Sequence, residues 1–347
     1  MASALSLRAH DPITTKVTWS KEVVRIFDNH CIACHAKDAS GPFPLSTYDE
    51  AKPWAKAIRD EVVTRHMPPW PAARGFGHFS NDPTLSPFEI ELVAAWVDGG
   101  APKGDEKDLP RVVSPTALSK SNNTFALPRR TASPSGQTRA ATVTPGFAGD
   151  RWIAGWQFVP NDPAIVAAEL SVDDGAGSIG AWVPSAGAVR FPENAAQRLR
   201  QGQSIGVTVR YRTARQQQDF PVDLPSAAPE LRLIFAERPP SFEIEHATIG
   251  CNQVTSLDKK QDLLPRELPV DSKTLLGLRV AGAANGARVG VEAAGVPLLW
   301  IAHSDTTYEP TYWLGHQTQA GFPLKTVSDD RASGCRVDVD YERPVQR

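Results

Sequence analysis

Cys31, Ile32, Ala33, Cys34 and His35 set two thiols and an imidazole in a five-residue C-x-x-C-H pattern. That spacing suits covalent attachment of a c-type haem, in which each sulfur forms a thioether to one vinyl group and the adjacent histidine lies under the iron as proximal ligand. A zinc knuckle would use the same thiols but needs a second Cys or His pair close by. The remaining cysteines, Cys251 and Cys335, lie far along the chain, in a different kind of structure.

A haem held this way takes a sixth ligand, and a methionine thioether opposite histidine raises the reduction potential. Apart from Met1, Met67 is the only methionine in the 347 residues. It stands in TRHMPPW, at the end of a helical pattern, and Pro68 disfavours helical geometry for the residue before it. His66 is the rival ligand. Neighbouring side chains diverge, so one of the two faces the iron, and Met67 is preferred. His66 then faces solvent or bonds a haem propionate, as does Arg65.

The elements that position these groups read as helices over residues 18–102. TWSKEVVRIFDNH offers Ser20 as a cap and leads apolar Val23, Val24, Ile26 and Phe27 into the cysteine motif. STYDEAKPWAKAIRDEVVTRHM opens on a capping box, Thr47 with Glu50, and carries Ala51, Trp54, Ala55, Ile58 and Val62 near helical spacing. SPFEIELVAAWVDGGAP gives a third start, with Ser86, Pro87 and Glu89, and Gly99 and Gly100 end it. From Arg151 the pattern changes to short alternating runs: RWIAGWQFV, SIGVTVRYRT, LRLIFAE, FEIEHATI, LLGLRVAG, ARVGVEAA, PLLWIAH and CRVDVDYE. Gly, Pro, Asn and Asp clusters separate them, as between strands of a β-sandwich or two packed together.

A chain this long is expected to form two or three domains. Lys and Arg total 37 against 39 Asp and Glu, for a formal charge of −2. With no extended basic run, nucleic acid is not an expected partner. No stretch is long and apolar enough for a transmembrane segment, and MASALSLRAHDP lacks the pattern of a signal peptide.

The run from VVRIFDNHCIACH through GPFPLSTYDEAKPWAKAIRDEVVTRHMPPWPA to GHFSNDPTLSPFEIELVAAWVDGGAPKGD resembles bacterial monohaem cytochrome c domains of large exported redox proteins. The likeness covers about residues 18–105 and rests on the haem pentapeptide, MPPW, the Phe79-Ser80-Asn81-Asp82 loop and the WVDGGAPKGD helix end. It implies that Cys31 and Cys34 bind the haem, that His35 and Met67 are the axial ligands, and that Trp70 and Phe43 pack the haem edge. The expected fold is multi-domain α + β: an all-α, class I-like cytochrome c domain over 1–105, a linker or wrapping segment over 106–150, and one or, more in keeping with the pattern, two jelly-roll-like sandwiches over 151–347.

In that family the cytochrome is often followed by a domain similar to copper type II, ascorbate-dependent monooxygenases of the peptidylglycine-hydroxylating kind, and the second half of this chain is similar in layout. The copper ligands are not. Ala167-Ala168 stands where a His-His pair is expected, Arg210 precedes Tyr211 where a strand histidine is expected, and LRVAGAA replaces the His-x-His segment. His246, His303 and His316 remain, without paired spacing. Copper is therefore not expected.

Cys251 and Cys335 are read as a structural disulfide formed in an oxidising compartment. Together with c-type haem, which is attached on the outer side of the bacterial membrane, this places the protein in the periplasm or outside the cell. The leading expectation is an exported cytochrome that passes single electrons to a redox partner protein, with an inactive monooxygenase-like β-module as scaffold or docking part. The alternatives are a copper monooxygenase with relocated ligands and a cytochrome subunit of a larger respiratory or photosynthetic complex.

Overall fold

The computed structural model describes residues 16–37, 39–110, 123–133, 136–172, 177–219, 221–251, 273–293, 295–320 and 324–345; the side chains of 273 and 315–320 are outside the description. The chain forms two compact units. The smaller comprises Met1–Lys37, Phe43–Pro69 and Pro83–Val113, and the larger Asp38–Pro42, Trp70–Asp82 and Ser114–Arg347.

Of the described residues, 36% are in strands and 20% in helices. The expected α + β chain headed by an all-α, class I-like cytochrome c domain is thus corrected to a mainly β protein whose helices are few and short. The reason is visible in the sequence. The first expected helix becomes a π-helical turn, Trp19–Val23, then α1 (Val24–His30) and α2 (Ile32–His35). Ser20 does not cap it: its hydroxyl is buried and donates to the Lys103 carbonyl. The second expected helix breaks at Pro53, whose ring and missing N–H interrupt helical bonding. What remains is α3 (Tyr48–Ala51), a 3₁₀ turn (Lys52–Trp54) and α4 (Ala55–Val63).

Local start signals were nevertheless legible. Thr47 and Glu50 form a capping box at α3, and Ser86 and Glu89 form another at α5 (Pro87–Asp98). Gly99 is the C-cap of α5; the Gly100 N–H then bonds the Val97 carbonyl and the Ala101 N–H the Trp96 carbonyl, with Gly100 at φ 87°. This is a Schellman ending. A core of Trp19, Val23, Phe27, Ile58, Val93 and Trp96 holds the smaller unit together.

The larger unit is built from β1 (Thr124–Ala126), β2 (Thr138–Val143), β3 (Arg151–Val159), β4 (Ile165–Val172), β5 (Gly177–Trp182), β6 (Val189–Arg190), β7 (Ala195–Leu199), β8 (Ile205–Tyr211), α6 (Ala214–Asp219), β9 (Glu230–Phe235), β10 (Phe242–Gly250), β11 (Lys273–Ala281), β12 (Val289–Ala293), β13 (Val296–Ile301), β14 (Tyr312–Ala320), β15 (Leu324–Ser328) and β16 (Arg336–Pro344). All eight runs read from alternation are strands. β1 and β2 fall inside the span 106–150 read as linker, where they pair with β9 and β8. Residues 111–122 and 134–135 of that span lie outside the described residues.

One long sheet runs β1-β9-β3-β7-β10-β16-β11-β14, with β6 beside β3; the others are β2-β8-β4-β5 and β13-β12-β15. Period-2 alternation decides what each face meets. Trp156 and Phe158 of β3 share one core with Leu170 of β4 and Val207 of β8. Leu278 of β11 and Val337 and Val339 of β16 share a second with Val289 and Val291 of β12. Residues 70–82 join this second core: Ala72 bridges to Ile301, and Phe79 to Leu314. Cys251 and Cys335 form a disulfide with Cα atoms 5.4 Å apart, closing a loop of sequence separation 84. No helix of the described residues is long and apolar enough to cross a membrane.

Candidate functional site

Cys31 ends α1 and begins α2, so the two thiols and the imidazole lie on one short helical turn. The His35 N–H bonds back to the Cys31 carbonyl at 2.9 Å, and the Cys34 N–H to the same oxygen at 3.1 Å. Both thiols are free and half-buried. Burial pushes the Cys31 thiol up to about 12, with Cys34 and Asp28 adding to the effect, and burial pushes Cys34 up to about 11.

The His35 ring is oriented by the backbone. Its Nδ1 donates to the Phe43 carbonyl at 2.9 Å, and burial lowers the imidazole's proton affinity despite that bond. The ring is thus neutral with the proton on Nδ1, which leaves Nε2 as a lone-pair donor, the arrangement of a metal-ligating histidine. The neighbouring His30 is committed elsewhere: Nδ1 meets the Pro83 carbonyl at 2.8 Å and Nε2 meets Glu89 at 3.1 Å.

Phe43 packs against His35 with ring centres 5.2 Å apart and stacks on Trp54 at 4.1 Å with parallel planes. Trp54 is 42% exposed and Met67 43% exposed, both high for apolar side chains. Free thiols, an imidazole with an available Nε2, an aromatic stack and an exposed thioether are the donor and contact types that a covalent haem uses. The residues present fit that group.

Met67 is placed by the ending of α4. The Arg65 N–H bonds the Val62 carbonyl at 3.2 Å and the His66 N–H bonds the Glu61 carbonyl at 2.9 Å, with Arg65 at φ 60°. This is a second Schellman ending, here with arginine in the left-handed position usually taken by glycine. The missing glycine hid it from the sequence reading. The rival His66 is 72% exposed, and its Nδ1 lies 3.5 Å from Glu61 and 3.3 Å from the Thr64 hydroxyl.

Trp70, expected at the haem edge, belongs to the larger unit. Its ring packs on Tyr312 at 4.9 Å and on Phe79 at 6.1 Å, because the bridge at Ala72 draws this segment into the β core.

At the positions where copper ligands were missing, Ala168 is buried in the first core. Arg210 donates to the Thr306 carbonyl, and Tyr211 is buried. His303 is exposed in the loop after β13, and His316 lies on β14 with its side chain outside the described residues. His246 has acidic company. Cross-strand register sets it opposite Asp340 and sets Thr248 opposite Asp338. Its Nδ1 is 3.1 Å from Asp340, and its Nε2 is 3.4 Å from the Thr248 hydroxyl. Among the described residues no group of three His, Cys, Asp or Glu side chains is arranged to hold a metal ion.

No protein-family model and no curated protein matches the chain. Among solved structures, the major capsid protein P2 from bacteriophage PM2 is similar over 65% of this chain and 98% of the capsid chain, at 10% identity and a TM-score of 0.27. A likeness at that level carries no argument about fold or function.

Proposed function

We propose that the smaller unit carries one covalently bound haem and that the protein transfers single electrons. The observation that carries this reading is the His35 imidazole, which the Phe43 carbonyl holds with Nε2 available, one residue after two free thiols on the same helical turn. Cys31 and Cys34 would hold the group through thioether bonds, and His35 Nε2 and the Met67 sulfur would be the side chains that bind its iron. When bound, the group supplies a one-electron iron couple. The chain's part would be to fix the imidazole tautomer, to provide a thioether that favours the reduced state, and to supply apolar contact through Phe43, which packs on His35 and Trp54.

The larger unit is proposed to take no part in oxygen chemistry and to serve as scaffold or docking part for a redox partner protein. Covalent haem and the Cys251–Cys335 disulfide both suit an oxidising compartment, so the proposed location is periplasmic or extracellular. Production in a bacterial host with a c-type maturation system tests the function: the purified chain should show a reduced low-spin spectrum and keep its colour on a denaturing gel. Loss of colour on denaturation would count against covalent attachment.

A further inference from the structure

The strand β16 reads Val337, Asp338, Val339, Asp340, Tyr341, Glu342, and its valines face the second core. The usual reading of such alternation is that the acidic face meets water. Here Asp338, Asp340 and Glu342 are 7%, 8% and 5% exposed. Part of this face, with His246, Thr248, Arg279 and Arg336, forms the floor of a cleft of about 580 Å³ inside the larger unit. The opposite wall is made by the β2-β8-β4-β5 sheet, and most of its lining is small: Ala140, Ala141, Ser171, Gly177, Ser178 and Gly206. Small residues there keep the space open, and its size is that of a small-molecule site.

Charges of both signs line the cleft, Arg279, Arg336 and Asp338 on the floor and Glu169 on the β4 wall. Arg279 lies 2.6 Å from Glu169 and 3.5 Å from Asp338; Arg336 lies 3.4 Å from Asp338 and 3.8 Å from Glu169. Thr248 donates to Asp338 at 3.0 Å, and His246 rests on Asp340 behind it. An anion placed here would be repelled by Glu169 and Asp338, and a cation by Arg279 and Arg336. A hydroxyl group both donates and accepts. It can therefore sit between a guanidinium and a carboxylate whose separation exceeds a normal hydrogen bond, as at Arg336 with Glu169, and satisfy both. Arg336 with Asp338, at 3.4 Å, offers a second place for a hydroxyl beside the first. No aromatic side chain lines the cleft among the described residues, so recognition would rest on hydrogen bonds rather than ring stacking.

We propose that this cleft binds a neutral polyhydroxylated molecule of mono- or disaccharide size through vicinal hydroxyls, with Asp338 and Arg336 at the centre. The site is independent of the haem reading, since every residue that forms it lies in the larger unit.

Calorimetric titration of the full chain with glucose, galactose, mannose and maltose, and with inorganic phosphate and glycine for comparison, tests it. The expected result is saturable binding of at least one sugar and none of phosphate or glycine. Asp338→Asn should weaken binding about tenfold or more, as expected for a lost hydrogen bond to a charged group. Because that variant removes a buried charge, Gly177→Phe is the second arm. A Cβ added at Gly177 meets nothing within 4 Å, so this variant should fold and yet fill the cleft, abolishing sugar binding. Failure of every sugar to bind, preference for phosphate or glycine, or sugar binding unchanged by Gly177→Phe would each overturn the proposal.

Discussion

Replacing both Cys251 and Cys335 with alanine removes the one covalent constraint on the larger unit that the chain itself supplies. The disulfide joins the end of β10 to the residue before β16, and the Cys251 N–H also bonds the Cys335 carbonyl at 3.1 Å. Its sequence separation of 84 makes the closed loop long, and the chain-entropy relation then gives about 4.5 kcal/mol of stabilisation through the unfolded state. That figure is a ceiling, because unfolded chains retain structure and native disulfides return about 2–5 kcal/mol in practice. For a unit of this size, 4.5 kcal/mol corresponds to a Tm lower by roughly 9–18 °C. Urea unfolding of the oxidised protein and of the double variant, followed by tryptophan fluorescence, measures it. A loss below about 1 kcal/mol would refute the reasoning, since the loop would then add little constraint. Cys335 is only 5% exposed, so the bond should also resist mild reductant until the strands open.

Other outcomes follow from particular residues. Arg65→Gly should stabilise the smaller unit by up to about 1 kcal/mol in thermal unfolding, because it relieves a left-handed arginine at the end of α4. Arg130 and Asp162 form a buried bidentate pair at 2.9 and 3.1 Å, with side chains 2% and 1% exposed. Arg130→Met should therefore cost about 3–5 kcal/mol, while Arg130→Met with Asp162→Leu should recover only part of it, because the Ala132 and Asp223 carbonyls and the Ala164 N–H lose their partners. Burial raises the Glu169 carboxyl, but Arg279, Arg336 and Arg210 outweigh it and hold the group below its ordinary value of 4.5. A carboxyl depressed in the folded state contributes stability above the unfolded pKa and loses it as pH falls through the folded one. Glu169→Gln should thus flatten the decline in stability below about pH 4.5 in acid titration of the unfolding midpoint. If the proposed haem is bound, Met67→Ala should change its spectrum and lower its potential, whereas His66→Ala should leave the spectrum unchanged.

Strand positions were readable because buried faces in this chain obey period 2: RWIAGWQFV became β3, Arg151–Val159, without adjustment at either end. Helix starts were readable at Thr47 and Ser86, where the chemistry is local. Helix lengths were not, since apolar spacing ran through Pro53 while the proline broke the hydrogen-bond ladder. The ending at Arg65 escaped because its left-handed residue is not glycine. His35 and its thiols were legible from spacing alone, but the Phe43 carbonyl that orients the ring is a backbone atom and leaves no mark in the sequence. The acidic floor was missed for a different reason. Asp338 and Asp340 alternate with valine as solvent-facing residues would, but His246 and Thr248 of β10 and Arg279 of β11 pack against them and both are buried.

The central claim is that Cys31 and Cys34 attach a single haem through thioether bonds. Denatured, unreduced protein from a host with c-type maturation should carry one haem per chain by pyridine haemochrome and no thiol reactive toward Ellman's reagent, and Cys31→Ala with Cys34→Ala should be colourless. A colourless wild-type chain with two titratable thiols would contradict it.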